Sequence, residues 1–111
     1  MRAALKMDTD GTLTELDLDV MEGSLKVLQT AVGGYIEAID LTPKLTMYGN
    51  EEAKLIGMEP NRAATAWFRK VYRGTPDYIA GPVVFTGGIN DQGETMGLSE
   101  DSIKAIRYSV S

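Results

Sequence analysis

The chain contains neither cysteine nor histidine. Without cysteine there is no disulfide, no thiolate nucleophile and no Cys/His zinc site, and without histidine there is no imidazole base and no His-based triad. Any catalysis therefore falls to carboxylates, Lys, Tyr, Ser or Thr, with a hard cation such as magnesium as the natural helper. Positive charge is also in deficit. Eleven bases stand against 16 acids, for a net charge of −5, which disfavours general attraction to nucleic acid. No apolar run approaches the roughly 20 residues of a membrane-spanning helix. The start, "MRAALKMDTDG", reaches charged residues too soon for a signal peptide, so a cytoplasmic address and no membrane contact are expected.

What remains is ordinary for a soluble globular protein: 111 residues, 43% hydrophobic and 24% charged, enough for one domain with one core. The charge is uneven. Residues 1–25 carry six acids and two bases, whereas residues 44–73 carry six bases and three acids.

Two stretches alternate with period two, "RAALKM" and "LDLDV", around Asp10-Gly11, a dipeptide suited to a tight turn; a β-hairpin over residues 1–20 follows. Met21, Leu25, Leu28 and Val32 then repeat at helical spacing, which predicts a helix from a cap near Asp19 to the stop at Gly33-Gly34. Residues 35–41 and 44–48 read as strands broken at Pro43, with a further short strand expected over 53–56. Pro60-Asn61 introduces a second amphipathic helix ending before Gly74. Residues 77–87 read as a long apolar strand with a bulge or edge position at Gly81-Pro82, residues 87–97 as a Gly-rich loop, and Ser99 as the cap of a third helix. The expected fold is a single α+β domain over residues 1–111, with an antiparallel-rich or mixed sheet and about three helices packed on one sheet face.

Asp8-x-Asp10-Gly11-Thr12 is also how haloacid-dehalogenase-type phosphatases write their nucleophile and acid/base. Such enzymes put the nucleophile at the end of a buried parallel strand followed by a crossover helix. Here Lys6 interrupts the strand, an alternating strand follows, and Gly88 stands where the distal loop should carry its first metal-binding acid. The hairpin reading is preferred, and a magnesium-dependent phosphatase is the third-ranked function. No catalytic, metal or cofactor residue is assigned.

Two groups of residues are candidates for binding. Asn50, Glu51, Glu52 and Lys54 gather an amide, carboxylates and an ammonium in a few residues after an apolar strand, where a turn presents polar groups in common. The competing reading is a solvated turn. Asn61 and Arg62 open the second helix, whose start offers backbone donors to an anion. Arg62, Arg69 and Arg73 share a helical stripe that is equally the wet side of an amphipathic helix. Five tyrosines exceed what so small a core demands, which leaves some for an interface.

The segments "VGGYIE", "NEEAKL-G--PN" and "I-GPVVFTG", within a likeness spanning nearly the whole chain, resemble a family of small proteins of unassigned function encoded by bacteriophages, notably those of actinobacteria, and by other mobile elements. The resemblance implies an accessory protein expressed in the infected host cytoplasm, without a mechanism. On that pattern Asn50, Glu51, Glu52, Lys54 and Asn61 are the polar positions that matter most. The expected function is non-enzymatic host takeover or counter-defence by binding a bacterial host protein, with a homodimer allowed. A small nucleotide ligand, held as by a sponge, is the alternative.

Overall fold

The computed structural model describes residues 1–111. Five strands, β1 (Ala3–Met7), β2 (Leu13–Asp17), β3 (Ile36–Thr42), β4 (Leu45–Asn50) and β5 (Val83–Thr86), form one sheet in the order β2-β1-β5-β4-β3. Every pairing is antiparallel. Three helices, α1 (Ser24–Val32), α2 (Arg62–Val71) and α3 (Glu100–Ser109), complete a single α+β domain. None is long and apolar enough to cross a membrane.

The N-terminal hairpin forms, with Ala3 opposite Asp17 and Met7 opposite Leu13, but its second strand is Leu13–Asp17 rather than the alternating "LDLDV" stretch at 16–20, whose Val20 is exposed. Its turn is closed by backbone bonds from Asp8 N to Thr12 O and from Gly11 N to Asp8 O, both 2.9 Å. Alternation then sorts side chains between two faces. Leu5, Met7, Met47, Val83 and Phe85 point to the face covered by α2 and α3, joined there by Ala64, Leu98 and Ile106. Ala4, Tyr48 and Val84 point to the opposite face, where Leu28 and Val32 of α1 cover them. The helices thus sandwich the sheet, correcting the expectation of a single covered face. Both faces of the three central strands carry large apolar side chains, and one helical layer would have left one set in water.

Three further boundaries differ from the sequence reading. The first helix begins at Ser24 rather than near Asp19, because the Asp19 carboxylate is held by the Arg2 guanidinium at 2.6 Å and its N–H by the Asp17 carboxylate at 2.8 Å. Met21 and Leu25, expected on its buried face, are exposed. Residues 53–56 form turns rather than a strand, since Asn50 Oδ1 accepts the Glu52 N–H and folds the chain back on itself. The strand expected over 77–87 is only Val83–Thr86, and it is the central one; Pro82 lies just before it, where no ladder donor is needed.

The helix ends agree with their signals. Gly33 ends α1 in the left-handed conformation, with Gly33 N–H and Gly34 N–H both donated to Gln29 O. Asn61 caps α2 through the Ala64 N–H, and Ser99 caps α3 through the Ser102 N–H. The loop 87–97 is ordered rather than open: Ile89 bridges Thr95, and Arg2 ties Thr95 O to the hairpin through a 2.7 Å bond.

Candidate functional site

The largest depression, about 720 Å³, opens beside the outer edge of β3. Its walls come from four places in the sequence. The strands contribute Glu37, Ile39 and Gly49, the turn after β4 contributes Glu51, Lys54 and Leu55, the C-terminal end of α2 contributes Phe68 and the residue just after it, Tyr72, and the stretch before β5 contributes Asp77 and Tyr78. The location follows from the topology. β3 is an edge strand, α2 covers the sheet centre, and the chain must loop out between β4 and α2 to reach that layer. A half-roofed gutter is left along the edge.

Aromatic rings form much of its apolar lining. Phe68 and Tyr72 lie with ring centroids 5.0 Å apart, and the Tyr72 hydroxyl donates 2.7 Å to the Asp40 carbonyl. Lys54 pairs with Asp77 and sits 4.4 Å above the centre of the Tyr78 ring. The Lys54 ammonium hydrogen-bonded to Asp77, with help from the Tyr78 N–H, holds that carboxyl below the ordinary Asp value of 3.8. Glu37 and Glu51 form no ion pair, so the unneutralised charge of the groove is negative; the Asp40 carboxylate turns to the α1 face, where it accepts the Thr46 hydroxyl at 3.3 Å. The turn projects Leu55, which lines the groove and is 81% exposed, and its neighbour Ile56, 59% exposed.

The sequence-derived candidates separate into two kinds. Glu51 and Lys54 line the groove, and Glu52 stands exposed on the same turn outside it. Asn50 borders the groove but is buried, with its amide used by the chain: its Nδ2 donates to Val32 O at the end of α1, and its Oδ1 accepts from Glu52 N. It fastens α1 to the turn, and it is packed so closely that a Cβ on Gly34 would come within 2.9 Å of its Nδ2. Asn61 is fully buried, and its amide is saturated by the chain. Nδ2 donates to Met7 O at 3.2 Å and Gly81 O at 3.0 Å, while Oδ1 accepts from Ala64 N at 3.0 Å. No atom of it is left for a ligand. Arg62 faces a separate shallow depression with Arg69, whose guanidinium donates to the Asp77 carbonyl at 3.0 Å. The groove residues that sequence reasoning missed are Phe68, Tyr72, Asp77 and Tyr78. The tyrosine surplus was the one signal pointing toward them.

Asp8 and Asp10 belong to the hairpin turn. The Asp10 carboxylate accepts the Thr12 N–H at 2.9 Å, and that bond keeps its pKa below 3.8. Asp8 lies 3.6 Å from Lys6 Nζ. The strand bearing this motif has antiparallel neighbours on both sides, not the parallel ones of a phosphatase nucleophile strand. Nowhere do three or more Asp or Glu side chains gather closely enough to hold a metal ion together.

No curated protein and no solved structure matches the chain. A family does: residues 1–110, all but the last, match the family described as Domain of unknown function (DUF3846), and the chain belongs to that family.

Proposed function

We propose that this protein is a phage-encoded accessory protein, non-enzymatic, which acts in host takeover or counter-defence by binding a bacterial host protein at the β3-edge groove. The observation that carries the binding reading is Leu55, held out into water on the lining of an aromatic-lined depression, with Ile56 exposed next to it on the same turn. Two adjacent large aliphatic side chains on a turn contribute nothing to the core. Burying each in an interface is favourable by about 1.5–3 kcal/mol, which suits an anchor for a partner. The phage and host-takeover part rests on the resemblance of the "VGGYIE", "NEEAKL-G--PN" and "I-GPVVFTG" segments.

The nucleotide-sponge reading has less support. Asn61 has no free atom, Arg62 faces another depression, and the carboxylates of the groove repel phosphate.

The test is affinity capture from bacterial lysate, actinobacterial lysate included, with the wild-type chain and the Leu55→Asp/Ile56→Asp variant side by side. Both positions are exposed, so the variant should unfold within about 0.5 kcal/mol per site of wild type. The expected result is a specific protein retained by wild type and lost from the variant. Equal retention by both, or no specific protein with either, overturns the reading.

A further inference from the structure

Resting on the protein-binding reading above, we infer that the partner offers an extended, basic segment that adds to the free edge of β3 as a sixth strand. The ladder fixes which backbone groups face outward. Glu51 N donates to Tyr35 O at 2.9 Å, and the register continues through Glu37 opposite Gly49 and Ile39 opposite Met47, so the odd-numbered residues exchange bonds with β4. Ile36, Ala38 and Asp40 therefore turn their N–H and C=O groups away from the sheet. The Tyr72 hydroxyl on the Asp40 carbonyl independently marks the same direction. Only that carbonyl is taken. The groups of Ile36 and Ala38 form an open template for main-chain bonding.

The groove supplies specificity for a strand laid on that template. Side chains of such a strand alternate between faces, and those on the α2 side drop between Ile39, Phe68, Tyr72 and Tyr78. Charge selects the occupant. Glu37 and Glu51 line the groove without ion pairs, whereas Lys54 is already engaged by Asp77, so lysine or arginine on the incoming strand is complemented and acid is repelled. A second copy pairing β3 with β3 would bring the same carboxylates of both copies to one seam. The occupant is thus a basic peptide rather than this chain itself.

The test uses the full chain and a random-peptide display library, followed by NMR titration of the amide-labelled protein with the enriched peptides. The expected peptides alternate Lys or Arg with aliphatic residues, shift the Ile36, Ala38 and Asp40 amides most, and slow their hydrogen exchange. Ala38→Pro removes an outward N–H without removing a bond to β4, and should weaken binding by about tenfold or more. Glu37→Lys/Glu51→Lys, a surface change that leaves the backbone alone, should do the same and decides the matter if the proline variant does not fold. Enrichment of acidic peptides, shifts centred on β2 or α1, or undiminished affinity in the charge-reversed variant each overturn the inference. The two readings fail separately. A lysate protein lost from Leu55→Asp/Ile56→Asp but kept by Glu37→Lys/Glu51→Lys preserves protein binding and removes strand addition. No captured protein and no enriched peptide removes both.

Discussion

Replacing Asn61 by alanine should unfold this protein more readily than any change in the groove. The side chain performs three tasks in a fully buried position: it caps α2 through the Ala64 N–H, and it satisfies the carbonyls of Met7 and Gly81. Loss of an Asn cap costs about 1 kcal/mol. Each buried carbonyl deprived of this donor adds about 1 kcal/mol, giving a total of about 3 kcal/mol. For a domain of this size that corresponds to a fall in Tm of roughly 12 °C. Urea denaturation followed by Trp67 fluorescence gives the free energy directly, because Trp67 packs edge-on against Phe85 at 5.9 Å and loses that environment on unfolding. Asn61→Asp sharpens the test. The carboxylate keeps the cap acceptor, loses both donors and faces the two carbonyls, so burial and carbonyl repulsion raise the folded-state pKa of the introduced acid above its unfolded value. A raised acid pKa means a penalty that grows as pH rises through the unfolded value of about 3.9, and that shrinks as the pH is lowered toward it. The gap between this variant and wild type should therefore narrow from pH 7 to pH 4. A loss below about 1 kcal/mol for Asn61→Ala, or a gap that stays flat or widens toward acid, would refute the three-task account.

Gly34→Ala and Asn50→Ala should be non-additive: the added methyl meets Asn50 Nδ2, so its cost should fall by about 1 kcal/mol or more when Asn50 is already alanine, as measured by a double-mutant cycle in urea. Thr86 Oγ1 is the one buried side-chain polar atom without a partner, so Thr86→Val should raise stability by about 1 kcal/mol in the same assay; a loss of that size would mean that the hydroxyl has a partner. Asp19, through the Arg2 guanidinium, and Asp77, through the Lys54 ammonium, have folded-state pKa values below 3.8. Their contribution is present above the unfolded value and disappears as pH falls below it. Acid titration of the Tm should show a loss beginning near pH 4, made shallower by Asp19→Asn. Thr65 Oγ1 receives the Ile79 N–H at 2.9 Å and donates to Asn61 O at 2.7 Å, so Thr65→Val should cost about 1–3 kcal/mol by thermal unfolding, despite its unchanged volume.

Local chemistry was legible wherever it acts within a few residues. Asp10-Gly11 makes the hairpin, Asn61 and Ser99 cap their helices, and Gly33 stops α1, because each signal needs only the backbone of its near neighbours. The same reasoning misplaced the start of α1. Asp19 looked free to cap, but Arg2, distant in sequence and adjacent across the hairpin, holds its carboxylate. The helical spacing of Met21 and Leu25 was coincidental, since both lie outside the layer that Leu28 and Val32 cover. In the candidate site, Glu51 and Lys54 were visible as a polar turn. Asp77 and Tyr78, about 25 residues further on, were not, since nothing local brings them to that turn.

The sequence by itself determined that the chain is one acidic α+β domain without thiol or imidazole chemistry, and where most of its turns and caps fall. These follow from residue type and short-range spacing. Tertiary structure alone decided the strand order, the placement of α1 opposite α2 and α3, and the burial of Asn50 and Asn61 as fasteners. It also decided that β3 is left as an edge with a groove beside it. Antiparallel pairing partners are chosen by which apolar faces can be covered at once, a condition on the whole chain that no window of sequence contains.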